Sequence, residues 1–454
     1  MKNLWEKYSD EEKKSIQDFC EGYRDFLSTH KTEREFVDYA VEEAEKQGFK
    51  SLESVISSGK KLSAGDKVYA VYMNKTIATF VLGTEPLEKG MLITAAHIDS
   101  PRLDIKQKPL YESQGFCMMD THYYGGIKKY QWTALPLALH GVICKKDGTT
   151  KKVVFGEDEN GPVIGLSDLL PHLEKKDDKK DFSGEDLNLL IGNTPANVEK
   201  DKFKTFIINL LKEKGIDEQD FLSAEIEVVP SGKARNFGLD NSMIMAYGQD
   251  DRVCGYTSLK SIFEVENPKY TCVSLLVDKE EIGSVGATGM QSKFFENVVA
   301  EIMNAQGDYS ELKVRRTMQN SATLSSDVTG AVDPNFTSPY NTETDAHFAR
   351  GVNFNKYTGH RGKYESNDAN PEFIAKLRDC FDNANVNYQM TEMGKVDQGG
   401  GGTIAYIMAN YGMNVIDAGV PVLNMHAPWE ITSKADIYET YKCYKAFYNF
   451  ELSK

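Results

Sequence analysis

The 454-residue chain lacks the marks of several protein classes. Its seven cysteines, at positions 20, 117, 144, 254, 272, 380 and 443, are odd in number, and no two form a C-x-x-C pair. That spacing argues against a disulfide framework or a cysteine-rich zinc knot, and reads as buried thiols in a reducing compartment. Nowhere do 18 apolar residues run together, and the opening MKNLWEKYSDEEKK has no apolar signal core. A cytoplasmic location with no membrane partner is therefore expected. Positive charge is also short: 53 Lys and Arg against 68 acids, a net charge of −15, which argues against nucleic acid as a main partner. The glycine run 399–402 is not followed by the Gly-Lys-Ser/Thr of a phosphate loop, and GSVGATG has the wrong spacing for a dinucleotide fingerprint. No internal repeat or low-complexity tract occurs.

What is present is an ordinary globular composition, long enough for two or three domains. Ser9 with Glu12, and Thr32 with Glu35, form capping boxes ahead of helically spaced apolar residues, the second helix ending at Gly48. KVYAVYMNKTIATFV reads as a hairpin turning near Asn74 and Lys75. A second hairpin, ALHGVICKKDGTTKKVVFGED, turns at Asp147-Gly148, and the charged run EKKDDKKDF reads as a solvated loop. A helix at 206–214 and a strand, AEIEVVP, follow. From Gly238 an α/β rhythm returns: a strand to Asp250, a helix at 253–263, a strand to Val277, and helices at 294–303, 371–386 and 403–411. These textures predict an α/β domain of mixed sheet, residues 1–107 and 236–454, with an inserted β-rich domain at 108–235.

The stretch TCVSLLVDKEEIGSVG organises the functional reading. A buried strand to Val277 stops at Asp278, and two adjacent carboxylates, Glu280 and Glu281, follow before a Gly283-Ser284 turn. In open α/β sheets, chemistry collects beyond the carboxyl ends of strands. Other strand-like runs end the same way: MLITAAHIDS at His97 with Asp99 two residues on, SMIMAYGQDDR at Asp250-Asp251, and GVPVLNMHAPWE at His426. SATLSSDVTGAVDP places Asp327 in a bend. Two histidines and several carboxylates so placed suit a pair of divalent ions, zinc above all, with manganese or cobalt also compatible. Each ion would take a histidine and a carboxylate, one aspartate would bridge, most naturally Asp250, and a water would be activated between them. In the Glu280-Glu281 pair one side chain can accept the water's proton while its neighbour ligates. Asp99 fits a carboxylate that orients a metal-bound imidazole.

AAHIDSPRLDIK, GQDDRVC, DKEEIGS, SSDVTGAVDPN and NMHAPWE, in order over nearly the whole chain, resemble the aspartyl aminopeptidase and vacuolar aminopeptidase I family of dinuclear-zinc exopeptidases. The resemblance implies His97, Asp250, Glu281, Asp327 and His426 as metal ligands, Glu280 as general base and Asp99 as the carboxylate behind the ligands. It implies that the insertion mediates dimerisation and that dimers assemble into a tetrahedral dodecamer. His172, in LLPHLEKK, would cross the dimer interface to steady the developing oxyanion. Some relatives carry Asn in place of Asp251, so the choice between Asp250 and Asp251 as the bridge stays open. The glycines of DQGGGGT would let a substrate backbone approach closely, or form a flexible turn. His30, His122, His140, His347 and His360 read as structural. The expected activity is removal of an acidic or neutral N-terminal residue from peptides with a free N-terminus. Alternatives are a dinuclear-metal deacylase or carboxypeptidase, and a non-catalytic assembly or cargo protein; Glu280 argues against the last, since a structural shell needs no unligated acid beside metals.

Overall fold

The computed structural model describes residues 2–173, 183–359 and 361–452; the charged run at 174–182 and His360 lie outside the described residues. The chain divides into two compact units, Met1–Asp99 with Ala234–Met425 and Glu430–Lys454, and Ser100–Lys233 with His426–Trp429.

The first unit is built on a nine-stranded mixed sheet. Its centre is four parallel neighbours, in the spatial order Thr271–Val277, Met91–His97, Ala322–Ser325 and Asn414–Gly419. Antiparallel strands extend it on both sides: the hairpin Lys67–Tyr72 and Thr76–Val81, and Val352–Asn355. Side chains alternate across a strand. Met91, Ile93 and Ala95 therefore enter one apolar core while Leu92 and Ala96 enter the other. Burial on both faces explains why these strands read as unbroken apolar runs. Thr94 and Ser274 are polar residues within these strands, and both are hydrogen-bonded to the Ser258 hydroxyl at 2.6 Å.

Helices cover the faces. Asp10–Thr29 and Glu33–Lys46 start at the two capping boxes, each with both reciprocal hydrogen bonds formed. Gln249–Phe263 and Lys434–Phe447 pack against each other and are buried along most of their length. A small second sheet of five strands lies in the same unit, including Met243–Ala246, Glu430–Ser433 and Pro421–Leu423. The second unit is a six-stranded antiparallel sheet, ordered Thr150–Phe155, Leu137–Cys144, Ala224–Pro230, Arg102–Ser113, Phe116–Tyr124, Leu189–Gly192. One helix, Lys202–Glu213, lays Ile207 and Leu211 toward Met119, Ile143 and Ile226 of that sheet around a cavity of about 210 Å³.

Three sequence expectations need correction. The strand expected to reach Asp250 stops at Ala246, and that expected to reach His426 stops at Leu423. Left-handed backbone at Gly248 (φ 65°) and His426 (φ 64°) cannot continue an extended ladder. The helix expected over 403–411 is only Ala405–Ala409, because Thr403 is tied by its side chain rather than helical. Helix Glu311–Asn320, strand Asn414–Gly419 and helix Lys434–Phe447 were not anticipated.

Candidate metal centre

Register, rather than sequence proximity, builds the site. His97 pairs with Val277 across the parallel ladder, and Ala95 pairs with Ser325. Three adjacent strands thus end together, and the residues just beyond them share one space. After Val277 the chain turns through Lys279 (φ 70°) into a short 3-10 turn, Glu280–Ile282, closed by Gly283 at φ 96°. After Ser325, the Ser326 N–H donates to the Ala95 carbonyl at 2.5 Å, which brings Asp327 beside the His97 strand. Gly419 is required opposite: a Cβ there would lie 1.9 Å from the Asp327 carbonyl oxygen.

Asp250 arrives differently. It falls at the start of Gln249–Phe263, yet its torsions (φ −78°, ψ 110°) and those of Asp251 (φ −113°, ψ 26°) are not helical, and the peptide between them is cis. Fully buried Arg252 frames this turn, donating to the carbonyls of Gly248 at 2.8 Å, Tyr247 at 2.5 Å and His30. Glu430 accepts the Asp250 N–H at 2.9 Å. The sequence contains both residues inside its motifs, but only the folded chain shows what they hold.

Four carboxylates converge on one imidazole. His97 Nε2 lies 3.3 Å from Asp250 Oδ1, 3.9 Å from Asp327 Oδ1 and 4.0 Å from Glu280 Oε2, while Nδ1 lies 3.4 Å from Asp99 Oδ1. The Nδ1–H donates to the Asp99 carbonyl at 3.0 Å, so Nε2 is the nitrogen that could hold a metal. Asp99 does a second job that the sequence did not disclose. Its two carboxylate oxygens accept the N–H groups of Glu280 at 3.1 Å and Glu281 at 3.2 Å, fixing the acidic turn.

The electrostatics fit a bound cation. Burial opposes a charged His97, but Asp250, Asp99 and Asp327 outweigh it and push its pKa well above the usual value. Asp327 is pushed far above the carboxylate range by burial, with the charges of Asp251, Asp250 and Glu280 adding to it. A divalent ion removes that like-charge cost. Among the described residues of the first unit, two donor groups have ligand atoms within 4.8 Å of one another: His97, Glu280 and Glu281, and His97, Asp250 and Asp327. One imidazole with several carboxylates is a donor set that zinc accepts. Of the two neighbouring aspartates, Asp250 is the one within reach of His97; Asp251 is fully buried and its pKa is raised foremost by that burial.

His426 and His172 belong to the other unit. The His426 ring lies 2.9 Å, through Nδ1, from the Gly126 carbonyl. His172 is exposed, beside Leu169, Leu170 and Leu173, which are 53%, 49% and 66% exposed. His140 has the structural role expected of it, with Nε2 3.0 Å from Glu157.

Comparison with known proteins agrees with this chemistry. The profile of the family described as aminopeptidase I zinc metalloprotease (M18) matches residues 26–448. The M18 family aminopeptidase 1 of Clostridium acetobutylicum is 56% identical over 456 residues, covering 99% of this chain and 98% of its own. The crystal structure of aminopeptidase I from that organism superposes with a TM-score of 0.92 at 54% identity, over 99% of both chains. An M18 aminopeptidase from Thermotoga maritima gives 0.94 at 42% identity, again over 99% of both. The structure of a yeast aminopeptidase 1 dodecamer shares the fold at 20% identity, TM-score 0.77, over 95% of this chain and 97% of that one.

Proposed function

The chain belongs to the M18 family of zinc metallopeptidases and is an aminopeptidase, and on that premise we propose how its residues divide the work. His97, Asp250, Glu281, Asp327 and His426 would hold two zinc ions. Bound there, the ions supply Lewis acidity to the scissile carbonyl and lower the pKa of the attacking water. Glu280 takes the proton from that water and returns it to the leaving amine. Asp99 keeps Glu280 and Glu281 in place through their N–H groups and orients His97. The observation that carries this division is the Asp99 carboxylate beneath both acidic residues, since it lets adjacent glutamates take different roles from one rigid turn.

The insertion 108–235 serves as a dimerisation domain, and His172 reaches the partner subunit's site to steady the oxyanion. Assembly to a dodecamer is supported by the yeast dodecamer's shared fold. A cytoplasmic location accords with the described residues containing no helix long and apolar enough to cross a membrane. The substrates are peptides with a free, acidic or neutral N-terminal residue. Zinc-reconstituted protein should cleave dipeptides with a free amine and leave their N-acetylated forms intact, in a screen that also ranks aminoacyl chromogenic amides. Preference for the acetylated forms would replace this reading with the deacylase one.

A further inference from the structure

The glycine run 399–402 is not absorbed by the metal centre, yet the fold ties it there. Asp417, 3% exposed, accepts two hydroxyl hydrogen bonds on one oxygen, from Ser325 Oγ at 3.0 Å and Thr403 Oγ1 at 2.7 Å. Ser325 ends the strand that leads to Asp327, and Thr403 directly follows Gly402. With about 3.8 Å between consecutive Cα atoms, the end of the run is on the order of 10–15 Å from Asp327. That is the reach of roughly three or four residues of an extended peptide at about 3.3 Å each.

The run is not glycine for the fold's sake throughout. At Gly399 a Cβ would lie 1.8 Å from the Met393 carbonyl oxygen, and Gly400 has φ +104°, so both positions demand glycine. Gly402 differs: its backbone is not left-handed, a Cβ would meet nothing within 4 Å, and the residue is exposed. Gly401 would meet only the flexible end of Met393, at 3.2 Å. Among the described residues, the N–H groups of Gly400, Gly401 and Gly402 have no hydrogen-bond acceptor, whereas the Gly401 carbonyl accepts from Gly359 at 2.8 Å. A cavity of about 510 Å³, lined by Arg361, Tyr364, Asp397, Gln398 and Gly399, opens at the start of the run.

We propose that the backbone at Gly401 and Gly402 binds the main chain of the peptide substrate beyond the scissile bond. Their N–H groups donate to its carbonyls, the missing side chain at Gly402 gives it room, and the neighbouring cavity takes one of its side chains. Asp417 and Thr403 are positioning residues that hold this strip at a fixed distance from the Asp327 strand. The proposal rests on the aminopeptidase reading, and one pair of substrates separates the two. An aminoacyl p-nitroanilide ends at the leaving amine, whereas a pentapeptide with the same first residue has four residues beyond the scissile bond and continues along the strip. If the wild-type protein cleaves neither, the aminopeptidase reading fails; if it cleaves both, the strip can be tested.

Gly402→Ala has room in the fold, so melting temperature and zinc content serve as controls. The ratio of KM for the pentapeptide to KM for the nitroanilide should rise about tenfold, the loss of one or two backbone contacts at ~1.4 kcal/mol per factor of ten. Thr403→Val, which cuts the tie to Asp417, should raise the same ratio, and Thr403→Ser should restore it. An unchanged ratio in Gly402→Ala, or equal losses on both substrates, would overturn the proposal.

Discussion

Each unit has a cluster of buried charge, and the two are balanced in opposite ways. In the second unit Arg102, 3% exposed, has its Nε 2.8 Å from Asp104 and 3.2 Å from Glu227, with its guanidinium 3.9 Å from the centre of the Tyr124 ring. The chain supplies both signs there, and the cluster ties strand Arg102–Ser113 to strand Ala224–Pro230. In the first unit four carboxylates share His97, and the pKa values of Asp327 and His97 are both driven upward. A cluster that holds its own buried cation ties a fold together, whereas four carboxylates around one imidazole leave a negative surplus that a divalent ion would offset.

The sharpest way to test the contrast is to remove charge without shape. Glu280→Gln should lower turnover by ~10²–10⁴-fold, the usual contribution of a general base, while zinc content by elemental analysis stays at the wild-type level. Retained turnover would take the base role from Glu280. The mirror-image change, Arg102→Met, removes the buried cation beside Glu227 and should lower unfolding stability in urea by about 3–5 kcal/mol. Zinc bound per folded chain should not move; a loss of zinc would erase the distinction drawn between the clusters.

His172→Phe tests the comparison from the side of the second unit, which under the proposal supplies an oxyanion donor as well as the ligand His426. Turnover should fall ~10²–10³-fold with zinc content and oligomeric size intact. Mixing this variant with Glu280→Gln should restore about a quarter of wild-type activity at one-to-one ratio, as random pairing across a two-fold interface requires. No recovery after confirmed subunit exchange would confine His172 to its own chain. The smallest effect is expected at Asp99→Asn, where zinc affinity should weaken about 10–100-fold in competition with a chelator. Unaltered affinity would mean that the Glu280–Ile282 turn holds its shape without the Asp99 carboxylate.

Legibility from sequence followed the distance over which each feature is determined. His97 and the Glu280-Glu281 pair stood out because strands buried on both faces are apolar until the residue at which they leave the core, whereas Asp327 was visible only as the acid in a Ser/Thr/Gly-rich bend. The capping boxes at Ser9 and Thr32 are local and were equally plain. Asp250 was identified as a candidate but placed wrongly, since its turn depends on the Arg252 guanidinium gripping carbonyls as distant as His30. Helix Lys434–Phe447 escaped notice because Lys434, Asp436, Glu439 and Thr440 are buried along with its apolar residues, which blurs the amphipathic pattern. Asp99's grip on the glutamate N–H groups could not be read, as it joins residues about 180 positions apart.

The point at which the chain leaves the first unit has a consequence for synthesis. The strand Met91–His97 is followed almost at once by the departure at Ser100, and the chain returns only at Ala234. At about 5–20 residues per second, a ribosome spends on the order of ten seconds making the intervening segment. Throughout that interval this buried apolar strand exists while both of its parallel neighbours, Thr271–Val277 and Ala322–Ser325, are still untranslated. The nascent chain therefore carries an unpaired hydrophobic edge for as long as the insertion takes to emerge, and early contact with a chaperone is what that delay calls for.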